Sequence, residues 1–198
     1  MGMDRVLATD QLKDEHKIII RMLNVVEAAC RRMQKRENVP ARVFEEAVDF
    51  IRNFADRCHH GKEQDTLFPL MGKRGFPMDS GPIAVMLVEH DRGREFVKGL
   101  AEAVKRYAAG DETAKPVMVQ NAMGYVELLR QHIHKEDNIL YPMGDKVLTT
   151  EDNERLLEQF EKIEGDVVGA GKHEQYLHSI ERLEKEFGIT SASASHDH

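Results

Sequence analysis

A short sequence motif that occurs twice constrains this chain more than any other feature. The first copy begins at His59 and reads HHGKEQDTLFPLMG, and the second begins at His132 and reads HIHKEDNILYPMGD. Both copies fit the pattern H-x-x-K-E-x-x-x-L-[F/Y]-P, which aligns His59 with His132 and Glu63 with Glu136. In a helix, a spacing of four residues places an imidazole and a carboxylate on one face. Two such pairs, facing each other across a helical bundle, can hold two metal ions.

Length and composition predict a single helical domain. The chain has 198 residues, of which 41% are hydrophobic and 32% charged, and its two cysteines make no disulfide framework. It has no apolar run of membrane-spanning length, and its first residues lack the hydrophobic region of a signal peptide. The formal net charge of -7 argues against nucleic-acid binding, which needs clustered positive charge. We therefore expect a cytoplasmic protein without a membrane or nucleic-acid partner.

The spacing of apolar residues predicts four long helices, each with one inward-facing histidine. Apolar residues recur at steps of three and four in stretches that begin near Thr9, Pro40, Ser80 and Pro116. The ionisable residues that fall on the predicted inward faces are His16, His59, Glu63, His90, His132 and Glu136. Counting along ideal α-helices instead turns His60 and His134 toward the polar faces.

The repeat extends beyond the two motif copies. The dipeptide Glu15-His16 of the first helix recurs as Glu89-His90 in the third helix. Each half of the chain therefore has an inward histidine on one helix and the His-x-x-x-Glu pair on the next. This order predicts two similar helical hairpins related by a pseudo-twofold axis.

We expect an all-α fold, an up-down-up-down four-helix bundle with an additional C-terminal helical segment. The bundle is predicted over residues 1–147, with its two hairpins at about 9–71 and 80–147. A helical extension over residues 148–188 is predicted to pack on the bundle. The polar residues 189–198 are predicted to be a disordered tail.

Six ionisable groups in one core favour a metal site. Burying unpaired charges costs several kcal/mol per group, and a pair of cations removes that cost. The alternative is a set of hydrogen-bonded His–Glu pairs without metal. Imidazole nitrogens and carboxylates without a thiolate suit iron, manganese or zinc. Four terminal histidines and two bridging glutamates would provide each ion with four protein ligands and leave positions for a small molecule.

Two carboxylates compensate only part of the charge of two divalent cations. An oxide, a hydroxide or another anion is therefore expected to complete the site.

The motifs resemble those of the hemerythrin-like (HHE cation-binding) family. The resemblance runs from about Leu12 to Met143 and rests on DEH, HHGKE-x-x-x-LFP, EHDRGR and HIHKEDNILYP. It implies a four-helix bundle with a non-haem di-iron centre (Fe²⁺/Fe³⁺) that handles dioxygen, nitric oxide, peroxide or iron itself. By position, the ligand roles go to His16, His59, Glu63, His90, His132 and Glu136.

The chain departs from the oxygen-carrying members at one position. Those proteins have a further histidine one turn after the third-helix ligand, where this chain has Arg94, and a guanidinium cannot act as a ligand. The missing imidazole argues against reversible oxygen carriage. Either a second open position makes the site more reactive, or another residue fills it. The candidates are Tyr125, His173, Glu174 and His178, the last three of which are expected on a solvent-exposed helix face.

The same family members commonly use an aspartate five residues after the fourth-helix histidine. Asp137 is therefore a minor alternative to Glu136, although an ideal helix rotates it about 140° away from His132.

Two functions are carried forward. The first is a di-iron protein that binds or reduces dioxygen, nitric oxide or peroxide. The alternative is iron or oxygen sensing, iron storage, or iron donation for repair of damaged metal centres, with a protein redox or iron-acceptor partner. Ferritin-like oxidase chemistry is disfavoured because that architecture uses Glu-x-x-His spacing.

Overall fold

The computed structural model describes residues 7–167, 169 and 171–189, and these residues form six helices and no strand. The helices are α1 (Ala8–Gln34), α2 (residues 41–73), α3 (Gly81–Ala108), α4 (residues 115–145), α5 (Thr150–Val167) and α6 (Lys172–Phe187). A short 3₁₀ turn, Glu112–Ala114, links α3 to α4. Residues 190–198 of the predicted tail lie outside the described part of the chain.

The helices α1 to α4 form the predicted bundle. Helix α1 packs against α2 and α4, and α3 packs against the same two helices. Short connections between consecutive helices make neighbours antiparallel, so the all-α, up-down-up-down prediction is confirmed. We call α1 and α2 the first half and α3 and α4 the second half. No described helix has both the length and the apolar character needed to cross a membrane.

Helix α1 follows ideal α-helical periodicity. The predicted inward residues are all buried, and these are Leu12, His16, Ile19, Leu23, Val26, Cys30 and Met33. The helix ends at Gln34, two residues before Arg36 adopts a left-handed conformation with φ 63°. The spacing of residues in the sequence therefore correctly predicts which residues of α1 face the core.

Helices α2 and α4 contain wide π-helical turns. These turns cover Ile51–His60 and Glu63–Leu67 in α2, and Glu136–Leu140 in α4. The buried face of α2 advances by steps of four from Ala47 to Leu67. In an ideal α-helix each such step overshoots one turn by about 40°, so five steps would rotate the face by about 200°. Wider turns rotate each residue by less, and they keep these residues on one face.

The same effect corrects a prediction in α4. Steps of three and four residues along this helix, continued past Glu136, predict an inward-facing Ile139, but its side chain is 50% exposed, while Leu140 is buried. A π-helical turn contains more residues than an α-helical turn. After Glu136, the next inward-facing residue is therefore Leu140 instead of Ile139. At the end of α3 the same counting predicts an inward-facing Ala108, which is exposed, whereas Tyr107 is buried and donates a hydrogen bond to the Val39 carbonyl at 2.8 Å.

Two apolar clusters fill the interior. One contains Ile19 to Met33 of α1 and the facing residues of α2, α3 and α4, and the other contains Leu12, Leu67, Phe68 and their neighbours. Helix α5 contributes Leu156 and Phe160 to the second cluster, and α6 contributes residues to the first. Because the extension and the bundle share both clusters, the proposed division at residue 147 remains a prediction.

Candidate metal centre

A layer of buried ionisable side chains separates the two apolar clusters. We call it the polar layer, and it consists of the six predicted site residues, His16, His59, Glu63, His90, His132 and Glu136. Each of the four histidines is 1% exposed and both glutamates are fully buried. The structure thus brings all six residues together at one level of the bundle.

Each glutamate of the polar layer reaches a histidine from both halves. Glu136 Oε2 lies 3.3 Å from His16 Nε2, and Glu136 Oε1 lies 3.3 Å from His132 Nε2. Glu63 Oε2 lies 3.4 Å from His90 Nε2 and 3.9 Å from His59 Nε2. The two carboxylates therefore stand between the histidines of the first half and those of the second half.

The histidines form one pair within each half. The Nε2 atoms of His16 and His59 are 2.9 Å apart, and those of His90 and His132 are 3.1 Å apart. In both pairs the rings are tilted by 59°. The Nε2 atoms thus point toward the centre of the polar layer.

The donor set fits two cations. Among the described residues, Glu63 Oε2 and both carboxylate oxygens of Glu136 are buried with imidazole nitrogens at 3.3–3.9 Å but no well-aligned hydrogen bond, which is unusual for polar atoms in a core. Two groups of residues offer ligand atoms within 4.8 Å of one another. They are His16, His59, Glu63 and Glu136 in one group, and His60, Glu63, His90 and His132 in the other. Nitrogen and oxygen donors in a dry interior suit a cation.

Carboxylates outside the polar layer hold three of its imidazoles through Nδ1. The Nδ1–H of His59 donates to Glu15 at 2.8 Å, that of His132 to Glu89 at 3.0 Å, and that of His16 to Asp137 at 2.8 Å. A carboxylate on Nδ1 sets the tautomer and leaves Nε2 for a ligand. Asp137, the minor alternative to Glu136, therefore contacts the back of an imidazole and belongs to neither candidate group.

The lysine of each motif copy supports these carboxylates. Lys62 Nζ donates to Glu15 at 2.5 Å, and Lys135 Nζ donates to Glu89. Two Lys–Glu–His chains, one in each half, thus repeat the pseudo-twofold relation. Burial by itself would raise the pKa of Glu15, but His59 and Lys62 outweigh it and lower this pKa to about 2. The repeated lysine of the motif was the sequence signal for these supporting residues.

Acidic neighbours raise the pKa values of two imidazoles of the polar layer, those of His16 and His132. Burial opposes the charged form of His16, yet Asp137 and Glu136 raise its pKa to about 9. Burial likewise opposes protonation of His132, but Glu136 and Glu89 raise its pKa to about 10. At neutral pH both rings are therefore protonated when no cation is bound.

The comparisons with known proteins agree with this geometry. A family model described as the hemerythrin HHE cation-binding domain matches residues 7–144. The chain belongs to this family. A Mycobacterium tuberculosis protein named only as uncharacterised is 26% identical over 188 residues, which cover 95% of this chain and 73% of that protein.

A second hemerythrin relative has a functional name. The iron-sulfur cluster repair protein YtfE of Salmonella typhimurium is 31% identical over 86 residues, 42% of this chain and 39% of that protein. No solved structure matches the chain.

One further histidine of this hemerythrin domain lies beside the polar layer. His60 was predicted on a polar helix face, and this prediction is wrong, because its side chain is 4% exposed. The face that it shares with Asp56 and Gln64 turns toward α3, where Arg94 hydrogen-bonds to both of those residues. Polar residues on this face therefore mark a contact between helices. The apolar Ile133 at the equivalent position of the second motif copy was the signal for an inward position.

The other ligand candidates have different surroundings. Tyr125 is buried, and its hydroxyl has no partner among the described residues. His173 contacts Glu164 and Phe54, and His178 is 80% exposed. Glu174 is also exposed. None of these four residues belongs to either candidate group.

Tyr141 contacts the polar layer from outside the predicted set. Its hydroxyl donates to Glu63 Oε1 at 2.6 Å, and its ring stacks on His16 with centroids 5.6 Å apart. At the equivalent position of the first motif copy, Phe68 stacks on His90 with centroids 6.2 Å apart. The aromatic residue of each motif copy therefore covers a histidine of the other half.

A cavity of about 130 Å³ leads to the second candidate group. His60, His90 and Tyr125 line its inner part, and Arg94 lies at its exposed rim. The arginine also hydrogen-bonds to Asp91 and Asp56, so its guanidinium is held at the rim. The position that carries a histidine in oxygen carriers thus borders the route to the centre in this chain.

Proposed function

We propose that this hemerythrin domain holds two iron ions in the polar layer and binds or reduces dioxygen, nitric oxide or peroxide there. The observation that carries the proposal is the placement of Glu63 and Glu136, each of which reaches a histidine of both halves. A carboxylate that bridges two ions needs this placement. The proposed ligands are His16, His59, Glu63, His90, His132 and Glu136.

Iron is the proposed metal, with manganese and zinc as competitors during purification. All three accept imidazole and carboxylate ligands, and only iron and manganese provide redox chemistry at such a site. When bound, iron supplies the electrons for reducing a small ligand. The protein contributes a dry cavity and oriented imidazoles. The cytoplasmic location remains a prediction from the sequence.

The cavity supports a small ligand. Its volume of about 130 Å³ is well below the roughly 300–1,000 Å³ of pockets that bind drug-sized ligands. Apolar side chains of Ile51, Val97 and Leu129 line it together with the Tyr125 hydroxyl, which is free to donate a hydrogen bond. A diatomic molecule or peroxide fits a cavity of this size.

Metal analysis combined with one substitution tests the proposal. Protein purified from iron-supplemented cells is expected to hold two irons per chain, and Glu136→Ala is expected to lose at least one. Glu127→Ala is the matched control, because this exposed glutamate lies on the same helix. Two irons retained in Glu136→Ala would contradict the bridging role, and a wild-type protein without iron would contradict the proposed metal.

Anaerobic titration of the iron-loaded protein with oxygen, nitric oxide and peroxide then distinguishes the functions. A reductase is expected to reduce one peroxide, or two nitric oxide molecules, per iron pair while two ferrous ions become ferric, whereas a stable reversible oxygen adduct supports carriage or sensing. Absorption spectra follow both reactions. No spectral response to any of the three would contradict the small-ligand proposal.

A second candidate function is iron donation for the repair of damaged metal centres. It is favoured by the similarity to the iron-sulfur cluster repair protein of Salmonella typhimurium. This function predicts that iron moves from the loaded protein to an iron-depleted acceptor protein faster than to buffer alone. Equal rates would contradict it.

A further inference from the structure

The pseudo-twofold relation fails at one position beside the polar layer. The two motif copies align His60 with Ile133, and both side chains are 4% exposed. Ile133 belongs to the larger apolar cluster, where an isoleucine needs no partner. His60 brings an imidazole to the corresponding position of the first half. The first half therefore has a potential metal ligand at a position where the second half has an apolar side chain.

We propose that His60 is a seventh metal ligand, which supplies a third imidazole to the ion position formed by His90 and His132. This inference rests on the proposed function, because it assigns a residue to one of the two ions. The other position keeps only the imidazoles of His16 and His59. The two ions would thus be bound unequally, in spite of the repeated motif.

The His60 ring lies beside both histidines of this ion position, stacked on His90 with centroids 3.9 Å apart and edge-on to His132 at 5.6 Å. The support for ligation comes from the donor atoms. One potential ligand atom each from His60, Glu63, His90 and His132 lies within 4.8 Å of the others, so three imidazoles and one carboxylate can each offer an atom to one cation.

The Nε2 atom of His60 is available to bind a cation. Within the described residues, His60 Nε2 is buried and has no hydrogen-bond partner. A buried imidazole nitrogen normally has one, so its isolation calls for an explanation. Because His60 Nδ1 faces the Asp56 carboxylate, Nε2 is the nitrogen that can offer its lone pair to a cation.

The other side of the ring has an orienting group. His60 Nδ1 lies 3.4 Å from Asp56 Oδ1, and this carboxylate accepts a hydrogen bond from Arg94 Nε at 2.9 Å. The arrangement parallels the carboxylates behind His16, His59 and His132 in the polar layer. A carboxylate behind an imidazole is the usual support of a metal-bound histidine.

Iron release from matched variants tests the inference. His60→Ile introduces the residue that occupies the equivalent position, and His134→Ala removes an exposed histidine of the second motif copy as a control. All proteins are loaded with ⁵⁷Fe, and iron content, Mössbauer spectra and release to a ferrous chelator under reducing conditions are measured. Metal-free melting temperatures show whether each variant folds.

The wild type is expected to hold two irons in two distinguishable environments. In His60→Ile one iron is expected to leave about tenfold faster or more, while the other leaves at the wild-type rate. The His134→Ala control should match the wild type. The metal-free His60→Ile protein should melt no lower than the wild type, because an isolated buried nitrogen is replaced by an apolar side chain. His60→Gln repeats the measurement if the isoleucine variant does not fold.

The possible results separate this inference from the proposed function. A wild type with two irons, together with unchanged release and unchanged Mössbauer spectra in His60→Ile, overturns the role of His60 and leaves the di-iron proposal intact. Equal acceleration of both irons overturns the assignment of His60 to one ion. A wild type that holds no pair of irons overturns the proposed function itself.

Discussion

At the scale of single residues, protons balance the charges of the polar layer when no cation is bound. Burial favours the neutral form of Glu136, but His132 and His16 outweigh it and lower its pKa well below the usual value. The same contacts raise the pKa of His16 to about 9 and that of His132 to about 10. Protonated imidazoles thus face ionised glutamate. A cation that binds Nε2 must displace these protons.

Metal binding is therefore expected to release protons. At pH 7 both His16 and His132 hold a proton that a metal ligand cannot keep, because pH 7 is below their pKa values of about 9 and 10. Ferrous iron should release about two protons per chain, and affinity should rise with pH until these pKa values are passed. Calorimetric titration at pH 7 in buffers of different ionisation enthalpy measures the proton count. Heats that do not depend on the buffer would contradict the prediction.

At the scale of helices, wide turns keep the motif residues facing inward. The π-helical turns Glu63–Leu67 and Glu136–Leu140 begin at the glutamates of the two motif copies. They allow histidine, glutamate and leucine at steps of four to share one face, which an ideal α-helix does not allow over several steps. Such turns often occur at functional sites. The leucines Leu67 and Leu140 are both buried as a result.

Gly61 in the first motif copy is not required by this geometry. Gly61 has helical angles, φ -62° and ψ -44°, and a Cβ added there meets nothing within 4 Å. Gly61→Ala should therefore increase the free energy of unfolding by about 0.5–1 kcal/mol and leave the iron content unchanged. Denaturant unfolding and metal analysis measure both quantities.

Gly110→Ala is the control for that substitution. Gly110 has equal space around its Cβ position but a φ of 93°, which disfavours alanine, so its replacement should lower stability. A loss of stability or of iron in Gly61→Ala would show that the first motif copy needs glycine for its wide turns.

At the scale of the whole molecule, the C-terminal helices complete the core around the site. Glu164 of α5 accepts a hydrogen bond from the fully buried Lys62 at 3.2 Å, and Phe160 of α5 places its ring 5.7 Å from the same ammonium. Helix α6 is held by Glu184, which accepts two hydrogen bonds from Arg21 of α1 at 2.9 and 2.7 Å. The extension therefore shields a charged group that supports the polar layer.

Removing the largest side chain of this contact should destabilise the entire chain. Phe160 is fully buried in the second apolar cluster, so Phe160→Ala is expected to cost about 3–5 kcal/mol of unfolding free energy. Leu157→Ala, at a partly buried position of the same helix, should cost less. Chemical denaturation followed by circular dichroism measures both. A small effect of Phe160→Ala, or an early separate transition, would indicate that α5 is not part of the cooperative core.

Spacing along single helices predicted much of this protein. The seam of α1 and the six residues of the polar layer followed from it, because each helix presents its own side chains at a regular interval. Two predictions failed because that interval changed or because a polar face met another helix. Ile139 turned outward at a π-helical turn, and His60 turned toward α3. A single sequence does not state the number of residues in each turn.

The sequence by itself determined the helices, the two similar halves and the kinds of ligand atom each half can offer. Only the tertiary structure decided which of these atoms meet. It placed Glu136 against His16, His60 against His90, and Lys62 beside Glu164 of the extension. These contacts join different helices, most of them distant in sequence. Helical periodicity relates only residues on one helix, whereas a metal centre depends on distances between helices, which are set by packing of the whole core.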